Sequence, residues 1–215
     1  MNTQQLIHTL ASDLQTGAAG PARSRPRWLR LAVMTGLASL ASFAAILLLL
    51  APSPHLAHGP SATIGFSALA GAALAAGAFW ATLKLSYPEG RLGLGWLLLP
   101  LGILLLGLGL EMSDAPSSSW SARLWGASPA ACFLCVTALS LPILAAVLVA
   151  LRNGAPTHPR LCGAMAGLLA GGIAAALYTL HCPENSLLFV ASWHVLAVLT
   201  VTIFGALAAG RWLRW

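Results

Sequence analysis

Four cysteines carry most of the reactive chemistry in this chain of 215 residues: Cys132, Cys135, Cys162 and Cys182. A thiol can be a nucleophile, half of a disulfide or a ligand for a soft metal ion. Cys132 and Cys135 lie in ASPAACFLCV, at the start of an apolar run. Cys182 lies in HCPENS, a polar connection of six residues flanked by apolar runs, with His181 and Glu184 as neighbours. Either neighbour could tune a thiolate or add a metal ligand. Pro183 keeps the connection from continuing the preceding helix.

Composition says what positions these thiols. The chain is 58% hydrophobic and 7% charged, against about 25% charged in a soluble domain. Its apolar runs reach the roughly 20 residues that cross a bilayer as helix. No strand-like alternation of polar and apolar residues is present, so a membrane barrel is not expected. We expect an all-α polytopic membrane protein with six spans: Trp28 to Ala51, Ser61 to Leu83, Leu92 to Met112, Ala130 to Leu151, Leu161 to Leu180 and Leu187 to Gly210. The first run is longer than a signal-peptide core and follows a polar stretch, so it is read as a retained span. Residues 1–27 form a separate cytoplasmic arm and basic segment ahead of a transmembrane domain of residues 28–215.

The basic residues orient the spans. Arg23, Arg25, Arg27, Arg30, Lys84, Arg91, Arg152, Arg160, Arg211 and Arg214 flank one side, and of the 11 only Arg123 falls on the other. This predicts cytoplasmic termini and extracytoplasmic loops at Pro52–Pro60, Ser113–Pro129 and His181–Ser186. Orientation also accounts for the sequence pI of about 9.9, so direct nucleic-acid binding is not expected. Trp28, Trp80, Trp96, Trp193 and Trp212 lie near span ends and are read as interfacial anchors.

Depth then sorts the cysteines. Cys162 opens the fifth span and Cys182 follows it, roughly 30 Å apart at about 1.5 Å per residue, too far for a disulfide. Cys132, in the first turn behind Ser128 and Pro129 as N-cap and first helical residue, shares the depth of Cys182. The two can meet if spans four and five are neighbours, as their short connection suggests. Cys135 and Cys162 are read as small apolar side chains. No Asp, Glu, Lys or Arg lies at the centre of a span, which argues against an ion-coupled carrier. Glu111 comes closest, at the end of span three. His194, about two turns into span six, could be a ligand, but a lone histidine is more often a hydrogen-bonding partner of a neighbouring helix, and is read so. Gly163, Gly167, Gly171 and Ala175 line one face of span five and predict close helix packing. Pro142 predicts a kink in span four.

The N-terminal arm shows an apolar stripe of Leu6, Ile7, Leu10 and Leu14. Asn2 with Gln5 resembles a capping box and Gly17 a stop. The stripe fits a lipid interface, the protein's own loops or a cytoplasmic partner.

Taken together, LIHTLASDL, ALRNGAPTHP, AGLLAGGIAAALYTLHCPENSLLFVASWH and GRWLRW resemble the NrsF family of six-span anti-sigma factors, over nearly the whole chain. The resemblance implies an integral protein of the bacterial inner membrane that holds an extracytoplasmic-function sigma factor inactive on the cytoplasmic side. It makes Leu6, Ile7, Leu10, Asp13 and Leu14 the sigma-binding arm. It makes Cys132 and Cys182 the two motif thiols that sense metal or oxidative stress and release the sigma factor, with His181, Glu184 and Cys135 as auxiliary groups. His194 stands where tyrosine is expected in the family. No enzyme motif and no His-x3-Cys-x2-Cys zinc pattern occurs, so neither catalysis nor a cofactor is expected. A membrane thiol oxidoreductase would need a second outer thiol pair, and a heavy-metal transporter would need thiols at mid-depth. The chain has neither.

Overall fold

A computed structural model describes residues 2–17, 26–49, 62–90, 93–152, 154, 156–184 and 186–213. The expected Pro52–Pro60 connection, Arg23, Arg25, Arg91, Arg214 and Asn185 lie outside them. The described residues form eight α-helices: α1 (Thr3–Gly17), α2 (Arg27–Leu49), α3 (Ala62–Leu85), α4 (Leu98–Asp114), α5 (Trp120–Trp125), α6 (Pro129–Leu151), α7 (Pro159–Tyr178) and α8 (Leu187–Trp212). A 3-10 turn at Leu94–Leu97 runs into α4. Six helices are long and apolar enough to cross a membrane, α4 together with its 3-10 turn counting as one. They match the six expected runs to within a few residues. The Ser113–Pro129 connection holds more structure than a loop: a 3-10 turn at Ser117–Ser119 and the short α5.

Helix α7 occupies the centre, with α3, α6 and α8 around it. Helix α2 lies on α6, and α4 lies on α3 and reaches α8. Glycine makes the central position possible. A Cβ on Gly163 would come 2.3 Å from the Gly205 carbonyl oxygen, and one on Gly167 would come 2.6 Å from the Thr202 Cα. The expected glycine face of span five therefore meets the backbone of α8. Gly172, on another face, meets the Ala75 backbone of α3. At such approach dispersion and backbone contacts replace the hydrophobic drive that lipid does not supply. Leucines on the outer faces, among them Leu37, Leu48, Leu99, Leu106 and Leu207, are exposed, as a lipid-facing surface requires. The α6 helix continues through Pro142.

The two ends differ. At the arginine-rich end, Arg27 donates to the Ser86 carbonyl at 3.4 Å and its guanidinium stacks 4.8 Å above the Tyr87 ring, tying α2 to the end of α3. At the opposite end sit α5 and the α7–α8 connection. Two tryptophans read as anchors do other work. Trp193 donates from its ring to the Leu124 carbonyl at 3.0 Å and packs on Trp125, holding α5 to α8. Trp96 fills the space over Gly77.

Helix α1 presents every side chain that the structure describes on it to the exterior. Only half of the expected capping box forms: the Asn2 amide donates to the Gln5 side chain at 3.3 Å. Leu6 and Ile7 are 44% and 61% exposed. The side chains of Leu10, Asp13 and Leu14 lie outside what is described.

A candidate thiol and imidazole site

Pro129 starts α6, as expected, but Ser128 makes no side-chain cap. Cys132 sits in the first turn, where its amide donates to the Ser128 carbonyl at 3.3 Å. At the end of α7 the chain tightens. The amides of His181 and Cys182 both donate to the Tyr178 carbonyl at 2.9 Å, and Pro183 then turns the chain away. These local rules place Cys182 over the first turn of α6.

The two sulfurs lie 3.9 Å apart. Both residues are free thiols. His194, on α8, brings its Nε2 to 3.0 Å from the Cys132 sulfur. The three ligand-type atoms all lie within 4.8 Å of one another. Exposure is 2% for Cys132, 3% for Cys182 and 4% for His194. Val136, Ala174, Tyr178, Phe189 and Ala197 wall the site, and the Tyr178 ring meets the His194 ring edge-on at 5.9 Å.

A hydrogen bond from the Cys132 thiol holds the Cys182 thiol below its usual range. Burial opposes this, and the His194 ring adds to it. Burial lowers the affinity of His181 for its proton.

The residues read as auxiliary do not join this set. Glu184 accepts from the Ala127 amide at 2.7 Å, bracing the α7–α8 connection against the segment before α6. That brace fits closely around Gly126, whose φ of +54° suits glycine and whose Cβ would strike the Phe189 ring at 2.6 Å. The Nδ1 of His181 is buried and has no hydrogen-bond partner, away from the sulfurs. Cys135 lies one turn deeper and is partly exposed, while Cys162 is buried at the arginine-rich end. His194 makes the tie to a neighbouring helix that was expected of it, and its partner is the Cys132 thiol of α6. Its signal was a histidine buried in a span, which is costly unless used.

Glu111 holds the start of α8. One carboxylate oxygen accepts from Arg123 at 3.0 Å and from the Ser186 hydroxyl at 2.7 Å. The other accepts from the Leu187 amide and, at 3.2 Å, from the Leu188 amide. An anion at the start of α8 satisfies its orphan amides and faces the positive end of its dipole.

Residues 14–215 match the protein family described as NrsF, negative regulator of sigma F. The chain belongs to the NrsF family. The match includes the whole thiol and imidazole site and begins within the arm, leaving out Leu6, Ile7, Leu10 and Asp13. Among similar proteins, the anti-sigma-F factor NrsF of Caulobacter vibrioides (strain NA1000 / CB15N) is 36% identical over 225 aligned positions, covering 100% of both chains. The probable anti-sigma-F factor NrsF of Azospira oryzae (strain ATCC BAA-33 / DSM 13638 / PS) is 38% identical over 146 residues, covering 66% of this chain and 68% of that protein. No solved structure matches this chain. The NrsF family is regulatory rather than enzymatic, and the six apolar helices make this member a multi-pass membrane protein.

Proposed function

We propose that this protein is a membrane-embedded anti-sigma factor of the bacterial inner membrane, with both termini in the cytoplasm. It holds an extracytoplasmic-function sigma factor on that side and releases it when Cys132 and Cys182 react. Membership of the NrsF family supports the anti-sigma role. The observation that carries the sensing part is the pair of free thiols 3.9 Å apart at the end opposite most of the basic residues. Residues 1–27 act as the sigma-binding arm and residues 28–215 as the membrane domain. The exposed Leu6 and Ile7 offer part of the arm's apolar stripe to a partner.

The switch is mechanical. A disulfide needs its sulfurs about 2.05 Å apart, so oxidation brings the two sulfurs nearly 2 Å closer than the observed 3.9 Å, by side-chain rotation together with a shift of the start of α6 against the end of α7. A peroxide would take the electron pair from the two thiols and leave as water, their protons going with it. Both helices run from this end to Arg152 and Arg160 at the other. A shift between them therefore alters the surface on which the sigma factor would rest.

The test measures sigma-dependent transcription in cells given a thiol oxidant. Cys132→Ser and Cys182→Ser should each abolish induction, and Cys162→Ser should leave it intact. Induction that survives both substitutions would remove the pair from the mechanism. Co-purification of the sigma factor with the membrane protein, with and without residues 1–20, tests the arm. Undiminished capture without those residues would overturn its role.

A further inference from the structure

We propose that Cys132, Cys182 and His194 form a binding site for one thiophilic divalent cation. This deepens the sensing role above by naming a ligand for the same thiols, and it adds a residue from a third helix. Zinc-type metals bind thiolates at about 2.3 Å. Two thiolates on one such ion stand about 3.8 Å apart at a tetrahedral angle and about 4.0 Å apart at a trigonal one. The observed separation of 3.9 Å lies between them, so the sulfurs need not move to admit the ion.

The imidazole reaches toward the same centre: its ring nitrogen lies within 4.8 Å of both sulfurs, and one metal requires each nitrogen–sulfur distance to be below about 4.3 Å. With a metal–nitrogen bond of about 2.0 Å, the 3.0 Å between Nε2 and the Cys132 sulfur corresponds to an angle near 90° at the metal. A small swing of the ring opens it to a tetrahedral value. Its Nδ1 has no hydrogen-bond partner, and the ring's polar contacts are with the sulfurs themselves, so turning it toward a metal breaks no bond to another group.

Charge selects the class of ion. Two thiolates and a neutral imidazole carry a charge of minus two, which a divalent cation cancels. A monovalent ion would leave a net negative charge among side chains exposed by 2%, 3% and 4%, where an unpaired charge is costly. Sulfur donors select against magnesium and calcium. Binding replaces two S–H bonds with two metal–sulfur bonds and releases two protons to the medium. Three protein donors leave one coordination position open for water.

Cadmium is the probe, added to the full-length reduced protein in detergent. Thiolate-to-metal absorption in the ultraviolet reports the sulfurs, and cadmium NMR or X-ray absorption reports the mixed sulfur and nitrogen shell. One ion per chain is expected. Cys132→Ser should abolish the absorption band. His194→Gln, which keeps a polar side chain but offers no ring nitrogen, should weaken binding by about tenfold to a hundredfold. Cys135→Ser should leave it unchanged. Unaltered affinity in His194→Gln, or an all-sulfur shell, would overturn the assignment of the third ligand. Failure of the reduced protein to bind cadmium, while Cys132→Ser still blocks sigma release in cells, would overturn the metal site and leave the oxidation reading standing.

Discussion

Replacing Glu111 with Gln preserves shape and removes one carboxylate oxygen, and the arrangement of donors makes the cost calculable. Each oxygen of Glu111 faces two donors: Arg123 and Ser186 on one, the Leu187 and Leu188 amides on the other. A glutamine must turn its NH2 group toward one pair. If it faces the amides, α8 loses its cap, worth up to about 2 kcal/mol. The ion pair with Arg123 weakens in either orientation. The arginine side chain is 40% exposed, so this part is held to about 1 kcal/mol or less. We expect Glu111→Gln to cost about 3 kcal/mol in all, and Arg123→Ala about 1 kcal/mol or less. Equilibrium unfolding of the purified variants in mixed detergent measures both. Loss of the cap also loosens the α7–α8 connection, so a thiol reagent should label Cys182 faster in a background where it is the sole cysteine. A change below about 0.5 kcal/mol with unaltered labelling would refute the cap.

Gly167→Ala should be among the most damaging small substitutions, because its Cβ meets backbone of α8 rather than a movable side chain. Overpacking of this kind costs about 1–3 kcal/mol or more, read as a lower unfolding midpoint, and Gly36→Ala, with open space around it, is the neutral control. Trp193→Phe should cost about 1 kcal/mol through the lost bond to the Leu124 carbonyl, seen by unfolding. Reporter fusions at Ser118 should score outside the cytoplasm and one after Trp215 inside. An outside result at the C-terminus would refute the orientation expected from the basic residues.

The six spans were legible because the bilayer imposes one rule on every residue of a run. The meeting of Cys132 and Cys182 was legible for a related reason: depth is counted from a span's end, and two groups at equal depth on adjacent helices have few ways to miss. The partner of His194 was not legible, although its bond to a neighbouring helix was. Depth leaves a residue free to point in any direction around its helix axis. The direction of His194 follows from how α8 seats on Gly163, Gly167 and Gly171 of α7, a packing choice not written near position 194. Glu111 was noticed as an ionisable group at a span end, yet three of its four partners lie 75 to 77 positions away. The tryptophans show the same limit. A residue type with a strong general preference for the interface masked the particular tasks of Trp96 and Trp193.

The glycine faces of α7 also bear on how the chain is made. Of the six long helices α7 is the most enclosed, with 67% of its most apolar stretch buried against 11% to 39% for the others. It meets lipid over little of its surface. During synthesis α7 leaves the ribosome after α3 and α6 and before α8. For that interval the seam around Gly163 and Gly167 faces lipid or the insertion machinery, with shallow grooves in place of side chains. Lodging of α7 in the bilayer is thereby coupled to arrival of α8. A chain stopped before residue 187 would hold Cys132 and Cys182 and still lack the helix that carries His194 against them. Quality control at the membrane would meet that product as a helix packed on α3 and α6 with its α8-facing glycines uncovered.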